Sequence, residues 1–167
     1  KFDWDKLNWL NSQVIHSWSS EALLKALKPL WVKEGWKLPA HEWCLALVEL
    51  IGPSLTLLKD GIEQSRPFFE TPSLESDAIN QLESQGSKDG IICLIEHLDQ
   101  NPWNGLDLGQ AKNLLAKSSE SANVKKGLIM KSLRAALLGS MKGPDLMSSW
   151  SLLARIGKDS ERLRGCL

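Results

Sequence analysis

Apolar residues along this chain recur at spacings of three and four, and no stretch sustains the alternation of apolar and polar residues typical of strands. A period near 3.6 is typical of helices with one buried face. Asp3 can act as the N-cap of the first such segment, whose apolar stripe comprises Trp4, Leu7, Leu10, Val14 and Trp18. The pattern predicts an all-α fold.

Prolines and glycines divide the first part of the chain into helices. Pro29, late in the second helical pattern, predicts an early end or a kink, and Gly52-Pro53 ends the third. The fourth is expected to end at Pro67. Pro, Ser, Thr and Glu then cluster over residues 70–76, which predicts a boundary between two helical subdomains, residues 1–70 and 71–167.

Tryptophans are concentrated near the start of the chain. Trp4, Trp18 and Trp43 lie on apolar stripes, so we expect them in the core. Trp9 lies off the stripe of its helix, between Asn8 and Leu10. We expect it to be partly exposed, where it could lie against a sugar or a base, or to pack under the second helix.

The charges are segregated although they cancel over the 167 residues. Residues 121–167 carry a net charge of +6 and residues 60–110 carry −8. A chain of this kind can present one basic surface to a polyanion, or simply a solvated helical face.

Motifs for catalysis and metal binding are missing. The chain has three cysteines, Cys44, Cys93 and Cys166, which is an odd number, and none of them forms a CxxC pair. We therefore expect no disulfide and no metal site. His41 and Cys44 are interpreted as core residues rather than as ligands. Phosphate loops, GxSxG and HExxH are absent, which favours a binding module with no catalytic residues of its own.

The ends and hydropathy of the chain add two expectations. No window approaches the roughly 18 apolar residues that a membrane-spanning helix needs, so no membrane association is expected. The chain begins at Lys1 rather than Met and shows no signal-peptide pattern, so we expect a piece of a longer protein.

A helical corner near the C-terminus combines an arginine with a loop. Lys131 and Arg134 share a neighbouring face of a helix over residues 124–138, which Gly139 closes. Pro144 is expected at the first position of the next helix. The corner could touch phosphates or base edges, could be a plain helical hairpin, or could be a helix-turn-helix with a poor recognition face.

Four segments in this order resemble bacterial glutamyl-tRNA synthetases. They are "FDWDKLNWLN" (Phe2–Asn11), "VELIGPSLTLLKDG" (Val48–Gly61), "SLRAALLGSMKGPDL" (Ser132–Leu146) and "LLARIGKDSERLR" (Leu152–Arg164). Together they extend over essentially the whole chain, and the third, with its Leu-Arg pair and the loop before Pro144, is the most specific.

The resemblance implies the C-terminal, tRNA-binding part of a class I synthetase. Residues 1–70 would form a stem-contacting helical subdomain, and residues 71–167 an anticodon-binding helical cage. ATP and Mg²⁺ would belong to a catalytic domain upstream, so this chain would hold no cofactor and be inactive alone. The partners would be tRNA-Glu and possibly tRNA-Gln. The protein would be a cytoplasmic monomer. A helical protein–protein adaptor with a basic C-terminal face is the alternative.

The resemblance also implies site residues. The positions expected against the inner tRNA stem are Lys6, Trp9 and Asn11. Those expected at the anticodon are Arg134, Gly143, Pro144 and Leu146, although Gly143 replaces a frequent Thr and so offers only backbone contacts.

Ser54 departs from the family pattern. Members that charge only tRNA-Glu have Arg-Pro-Arg, whose second arginine reads the third anticodon base, whereas this chain has Gly52-Pro53-Ser54. A bidentate arginine contact contributes about 1–3 kcal/mol of base discrimination. We therefore hypothesise that the parent enzyme charges both tRNAs. The alternatives are that another residue recognises the third anticodon base, or that Ser54 recognises it through a water molecule.

Overall fold

A computed structural model describes residues 2–167. Over that range the chain forms ten α-helices and one short 3-10 turn, without a strand, which confirms the predicted all-α fold. The chain divides into two compact units, of which the first ends at Glu70 and the second comprises Thr71–Leu167.

The first unit is built from helices that bury large apolar side chains. Its elements are α1 (Trp4–His16), α2 (Ser20–Lys33), α3 (His41–Ile51), the 3-10 turn (Gly52–Ser54) and α4 (Asp60–Phe69). The core includes Leu27, Trp31, Leu47 and Phe68. Asp3 accepts a hydrogen bond from the backbone N–H of Lys6, so its predicted role as the N-cap of α1 is confirmed.

Pro29 and Pro67 lie inside helices and do not end them, whereas α3 ends at Ile51, before Gly52-Pro53, as predicted. α2 continues through Pro29 to Lys33, and α4 continues through Pro67 to Phe69; the predicted end at Pro67 is therefore wrong. Each proline removes one backbone hydrogen bond, but the residues that follow are held by packing. Phe68 is buried, and the ring of Phe69 stacks on that of Trp36 with centroids 4.8 Å apart.

The apolar stripe predicted for the first helix lies largely on the surface, and its last member, Trp18, follows the end of α1 at His16. Trp4 is 67% exposed and Trp18 is 40% exposed, so their predicted place in the core is wrong. Ile15 is the buried residue of this helix. The prediction is confirmed for Trp43, which is 3% exposed in α3, and for the partial exposure of Trp9, at 59%.

The second unit consists of six helices. Its elements are α5 (Ser76–Glu83), α6 (Ser87–Gln100), α7 (Leu108–Ala122), α8 (Lys126–Leu138), α9 (Leu146–Arg155) and α10 (Asp159–Arg164). Ile129, Leu133, Ala136 and Leu137 of α8 are all buried. Among residues 2–167, no helix is long and apolar enough to cross a bilayer.

Candidate nucleic-acid interface

The loop between α8 and α9, residues 139–145, is hereafter the connector. Arg134, half-buried on α8, donates a hydrogen bond from Nη1 to the carbonyl oxygen of Pro144 at 2.8 Å. Gly143 is exposed and has a φ of +142°. A Cβ at Gly143 would meet ordinary contacts at 3.6 Å, so the backbone conformation rather than lack of space favours glycine there. The arginine thus fixes the end of the connector nearest α9.

The other end of the connector is held by the first turn of α5 and by Glu75, the residue before that helix. The backbone N–H of Glu75 donates to the carbonyl of Gly139 at 2.8 Å, and the N–H of Met141 donates to Oδ2 of Asp77 at 3.3 Å. Gly139 has a φ of +68°, and a Cβ there would lie 2.6 Å from the carbonyl oxygen of Ser73. The predicted helix-closing role of Gly139 is confirmed, and the close approach of Ser73 gives a second reason for glycine.

The start of α9 differs from the sequence prediction. Asp145, not Pro144, precedes the first helical residue, and its carboxylate accepts a hydrogen bond from the N–H of Ser148 at 2.9 Å. The placement of Pro144 at the first helical position is therefore wrong, because Asp145 caps the helix while the Pro144 carbonyl is held by Arg134. Leu146 is 6% exposed, so its side chain belongs to the core.

Fewer of the basic residues are available for a partner than their number in the sequence indicates. Arg162 is buried and donates from Nη1 to the carbonyl of Leu137 at 2.7 Å. Burial lowers its pKa to about 10, so it is still charged at neutral pH. Arg164 pairs with Asp99. Lys131 and Lys142, by contrast, are exposed, and Lys142 lies on the connector itself.

Ser54 lies at the end of the 3-10 turn and its hydroxyl has two neighbours. Its Oγ is 2.8 Å from the carbonyl oxygen of Ile51 and 2.5 Å from Oε1 of Gln64. Gln64, on α4, also directs its Nε2 to the carbonyl of Ser54 at 3.4 Å. Gln64 could not be predicted as a partner of Ser54, because it lies ten residues away in no recognised motif and meets Ser54 only through the fold.

The three predicted stem residues of α1 do not share one face. Lys6 and Trp9 are exposed, whereas Asn11 is half-buried. Asn11 follows Trp9 by two residues, which is roughly 200° around a helix axis. Lys6 and Trp9 are three residues apart and both exposed, so they lie on neighbouring parts of one surface of α1. Asn11 lies on another side of the helix.

A groove lies beside the 3-10 turn in the first unit. It has a volume of about 310 Å³ and is lined by residues that include Trp18, Glu49 and Pro53. Within the described part of the chain, His, Cys, Asp and Glu form no group of three or more that could hold a metal ion.

The sequence of this helical chain matches a known class of RNA-binding domain. The sequence model of the anticodon-binding domain family matches residues 21–164, so the chain belongs to that family. Its relatives are glutamate–tRNA ligases. That of Prochlorococcus marinus (strain MIT 9313) is 60% identical over 167 residues, and that of Synechococcus sp. (strain CC9605) is 56% identical over 168. Both matches cover all of this chain, which spans 35% of the length of each relative.

Two crystal structures share the fold. A glutamate tRNA ligase from Elizabethkingia meningosepticum CCUG26117, in complex with its amino acid, matches with a TM-score of 0.83 at 24% identity. The glutamate-tRNA synthetase from Elizabethkingia anophelis matches with a TM-score of 0.78 at 23% identity. Each match covers 99% of this chain and 32% of the other. These two structures support the fold, and the family match together with the sequence relatives confirms the resemblance found in the four sequence segments.

Proposed function

We propose that this chain is the tRNA-binding, non-catalytic part of a glutamate–tRNA ligase. The first unit contacts the inner stem of the tRNA through Lys6 and Trp9, and the second unit contacts the anticodon through the connector and Arg134. The parent enzyme acts as a cytoplasmic monomer and attaches glutamate to tRNA. We assign its ATP and Mg²⁺ to the catalytic part of that enzyme, because this chain spans 35% of the length of its relatives.

The braced connector is the observation that carries this proposal. Hydrogen bonds from Glu75 and Arg134 and to Asp77 fix residues 139–144 before any ligand arrives. The exposed Gly143 allows close approach of another backbone, and Lys142 supplies positive charge beside it. A rigid loop of this kind suits unpaired bases and their phosphates, which proteins recognise through exposed edges and backbone contacts.

Binding measurements on the full-length protein test the anticodon contact. The affinity for tRNA-Glu is compared with that for the same tRNA carrying an unrelated anticodon, at several salt concentrations. We expect the replaced anticodon to weaken binding by roughly tenfold or more, the loss typical of one or two base contacts. Phosphate contacts should give a negative slope of log affinity against log salt. Equal affinities for the two anticodons would contradict the proposal.

We further propose that the parent enzyme charges tRNA-Gln as well as tRNA-Glu. The support is the serine at position 54, where the discriminating pattern has an arginine, and the local engagement of its hydroxyl with Ile51 and Gln64. Charging of purified tRNA-Gln transcripts is the test. We expect rates within about tenfold of those for tRNA-Glu, and we expect Ser54→Arg to suppress tRNA-Gln charging selectively. Negligible charging of tRNA-Gln by the unaltered enzyme would rule out dual specificity.

A further inference from the structure

Buried hydroxyl groups join three helices of the second unit. Oγ of Ser132, on α8, lies 2.9 Å from Oγ of Ser87, the first residue of α6. Oγ of Ser87 in turn lies 2.7 Å from the carbonyl oxygen of Gln81 on α5. Both hydrogen bonds form when Ser132 donates to Ser87 and Ser87 donates to the carbonyl. The two serines are 0% and 1% exposed, so bulk water cannot take over either bond.

The face of α8 that meets α5 carries small residues. Ser132 and Gly139 are seven residues apart, so they share one face of the helix and its end. Nε2 of Gln81 lies 3.5 Å from Oγ of Ser132, and the N–H of Glu75 donates to the carbonyl of Gly139. Ala78 is the buried residue of α5. Helices resist sliding when large side chains of one fit between those of the other, and residues this small do so only weakly. Hydrogen bonds are therefore needed to fix the position of α5 along α8.

The same helix, α5, also holds the connector. The carboxylate of Asp77 accepts a hydrogen bond from the N–H of Met141 at 3.3 Å. Asp77 and Gln81 are four residues apart, so they lie on one face of α5, about one turn from each other. A short helix moves as a unit, and a displacement of α5 at Gln81 therefore carries Asp77 with it. The bond from Met141 is already long, so even a small displacement breaks it.

We propose that Ser132 is a positioning residue for the connector. Its buried hydrogen bond to Ser87 sets where α5 lies along α8, and α5 in turn sets the conformation in which the connector meets the anticodon. Ser132 lies two residues before Arg134, which is roughly 200° around the helix axis, and its burial keeps it from touching RNA. This inference rests on the proposed function, and it adds a core residue that acts on anticodon recognition through α5.

Substitution of Ser132 by alanine tests this role. The full-length protein is titrated with tRNA-Glu and with the same tRNA carrying an unrelated anticodon, and the ratio of the two affinities is measured. Unfolding of a fraction of the protein lowers both apparent affinities equally, so a loss of stability alone leaves the ratio unchanged. We expect Ser132→Ala to lower the ratio by roughly threefold or more, in the range typical of residues that act on a binding site without touching the ligand.

Two further variants serve as a matched control and as a test of the route. Ser118 is also 0% exposed and donates from Oγ to the carbonyl of Leu114 within its own helix, α7, at 2.7 Å. We expect Ser118→Ala to leave the ratio unaltered. Ser87→Ala breaks the connection between α8 and α5 at its next member and should lower the ratio as Ser132→Ala does. The double variant Ser132→Ala/Ser87→Ala should lower it no further, because the connection is already broken.

The outcomes separate the inference from the proposed function. A lower ratio for Ser132→Ala and Ser87→Ala, with none for Ser118→Ala, supports the positioning role. A ratio that Ser132→Ala leaves constant, an equal fall for Ser118→Ala, or effects that multiply in the double variant overturns the inference and leaves the proposed function standing. Equal affinities of the unaltered protein for the two anticodons overturn the proposed function, and the role of Ser132 with it.

Discussion

Nη1 of Arg134 lies 2.8 Å from the carbonyl oxygen of Pro144 and donates a hydrogen bond to it across the mouth of the connector. The same guanidinium has further N–H groups and a positive charge. Arg134 therefore both fixes the conformation of the connector and contributes positive electrostatic potential to the surface. Substitutions must separate these two effects before a loss of RNA binding can be assigned to either.

Arg134→Ala should weaken binding of tRNA-Glu to the full-length protein by at least about tenfold, since a hydrogen bond to a charged group contributes about 1.5–3 kcal/mol. Arg134→Lys retains the charge and one donor that can reach Pro144, so we expect it to restore part of the affinity. Lys131→Ala, one turn earlier on α8, is the matched control for loss of charge alone. An alanine variant that binds tRNA-Glu as tightly as the unaltered protein would refute the role of Arg134.

Gly139, which closes α8, and Gly127, which lies within α8, should respond in opposite ways to substitution by alanine. Gly139→Ala places a Cβ 2.6 Å from the Ser73 carbonyl at a φ of +68°, and we expect a loss of about 1–3 kcal/mol in the free energy of unfolding. Gly127 lies in α8 with nothing within 4 Å of an added Cβ. Gly127→Ala should stabilise by about 0.5–1 kcal/mol. Denaturant unfolding measures both, and destabilisation by both would contradict the assignment.

The buried Arg162 should tolerate an apolar side chain of its own length better than truncation. Removing a group that is buried and hydrogen-bonded to the Leu137 carbonyl leaves an orphaned acceptor and a cavity. Arg162→Ala is expected to cost about 2–5 kcal/mol of stability, from the cavity and the unpaired acceptor together. Arg162→Met refills most of the volume, so its cost should be lower by about 1–2 kcal/mol. Equal midpoints of thermal unfolding for the two variants would show that packing at this site is unimportant.

Lys6 and Trp9 should affect RNA binding without affecting stability, because both are exposed on α1. Lys6→Ala should reduce the salt dependence of tRNA binding by about one unit of slope, the effect of one lost phosphate contact. Trp9→Ala should lower the affinity several-fold, in the range of about 1 kcal/mol for an aromatic contact to RNA. Val14→Ala, an exposed apolar residue on another side of α1, is the control. Identical behaviour of the Trp9 and Val14 variants would argue against a stem contact at Trp9.

Much of the candidate interface could be predicted from the sequence, because its parts are local. The closing glycine of α8 and the arginine one turn before it lie within six residues of each other, and the next helix begins seven residues after that glycine. The contacts made by Asp77 and Gln64 could not be predicted. Each joins positions that are far apart in the chain or share no motif, and hydrogen bonds of this kind depend on how helices pack.

Local chemistry determined the helices and the N-cap at Asp3, since spacing and capping residues act over a few positions. Tertiary structure decided which apolar faces are covered. Trp4 and Trp18 fit an apolar stripe as well as Trp43 does, yet Trp43 alone of the three is buried. Periodicity defines a face of a helix, but burial requires a second surface against that face, and only the folded chain supplies one.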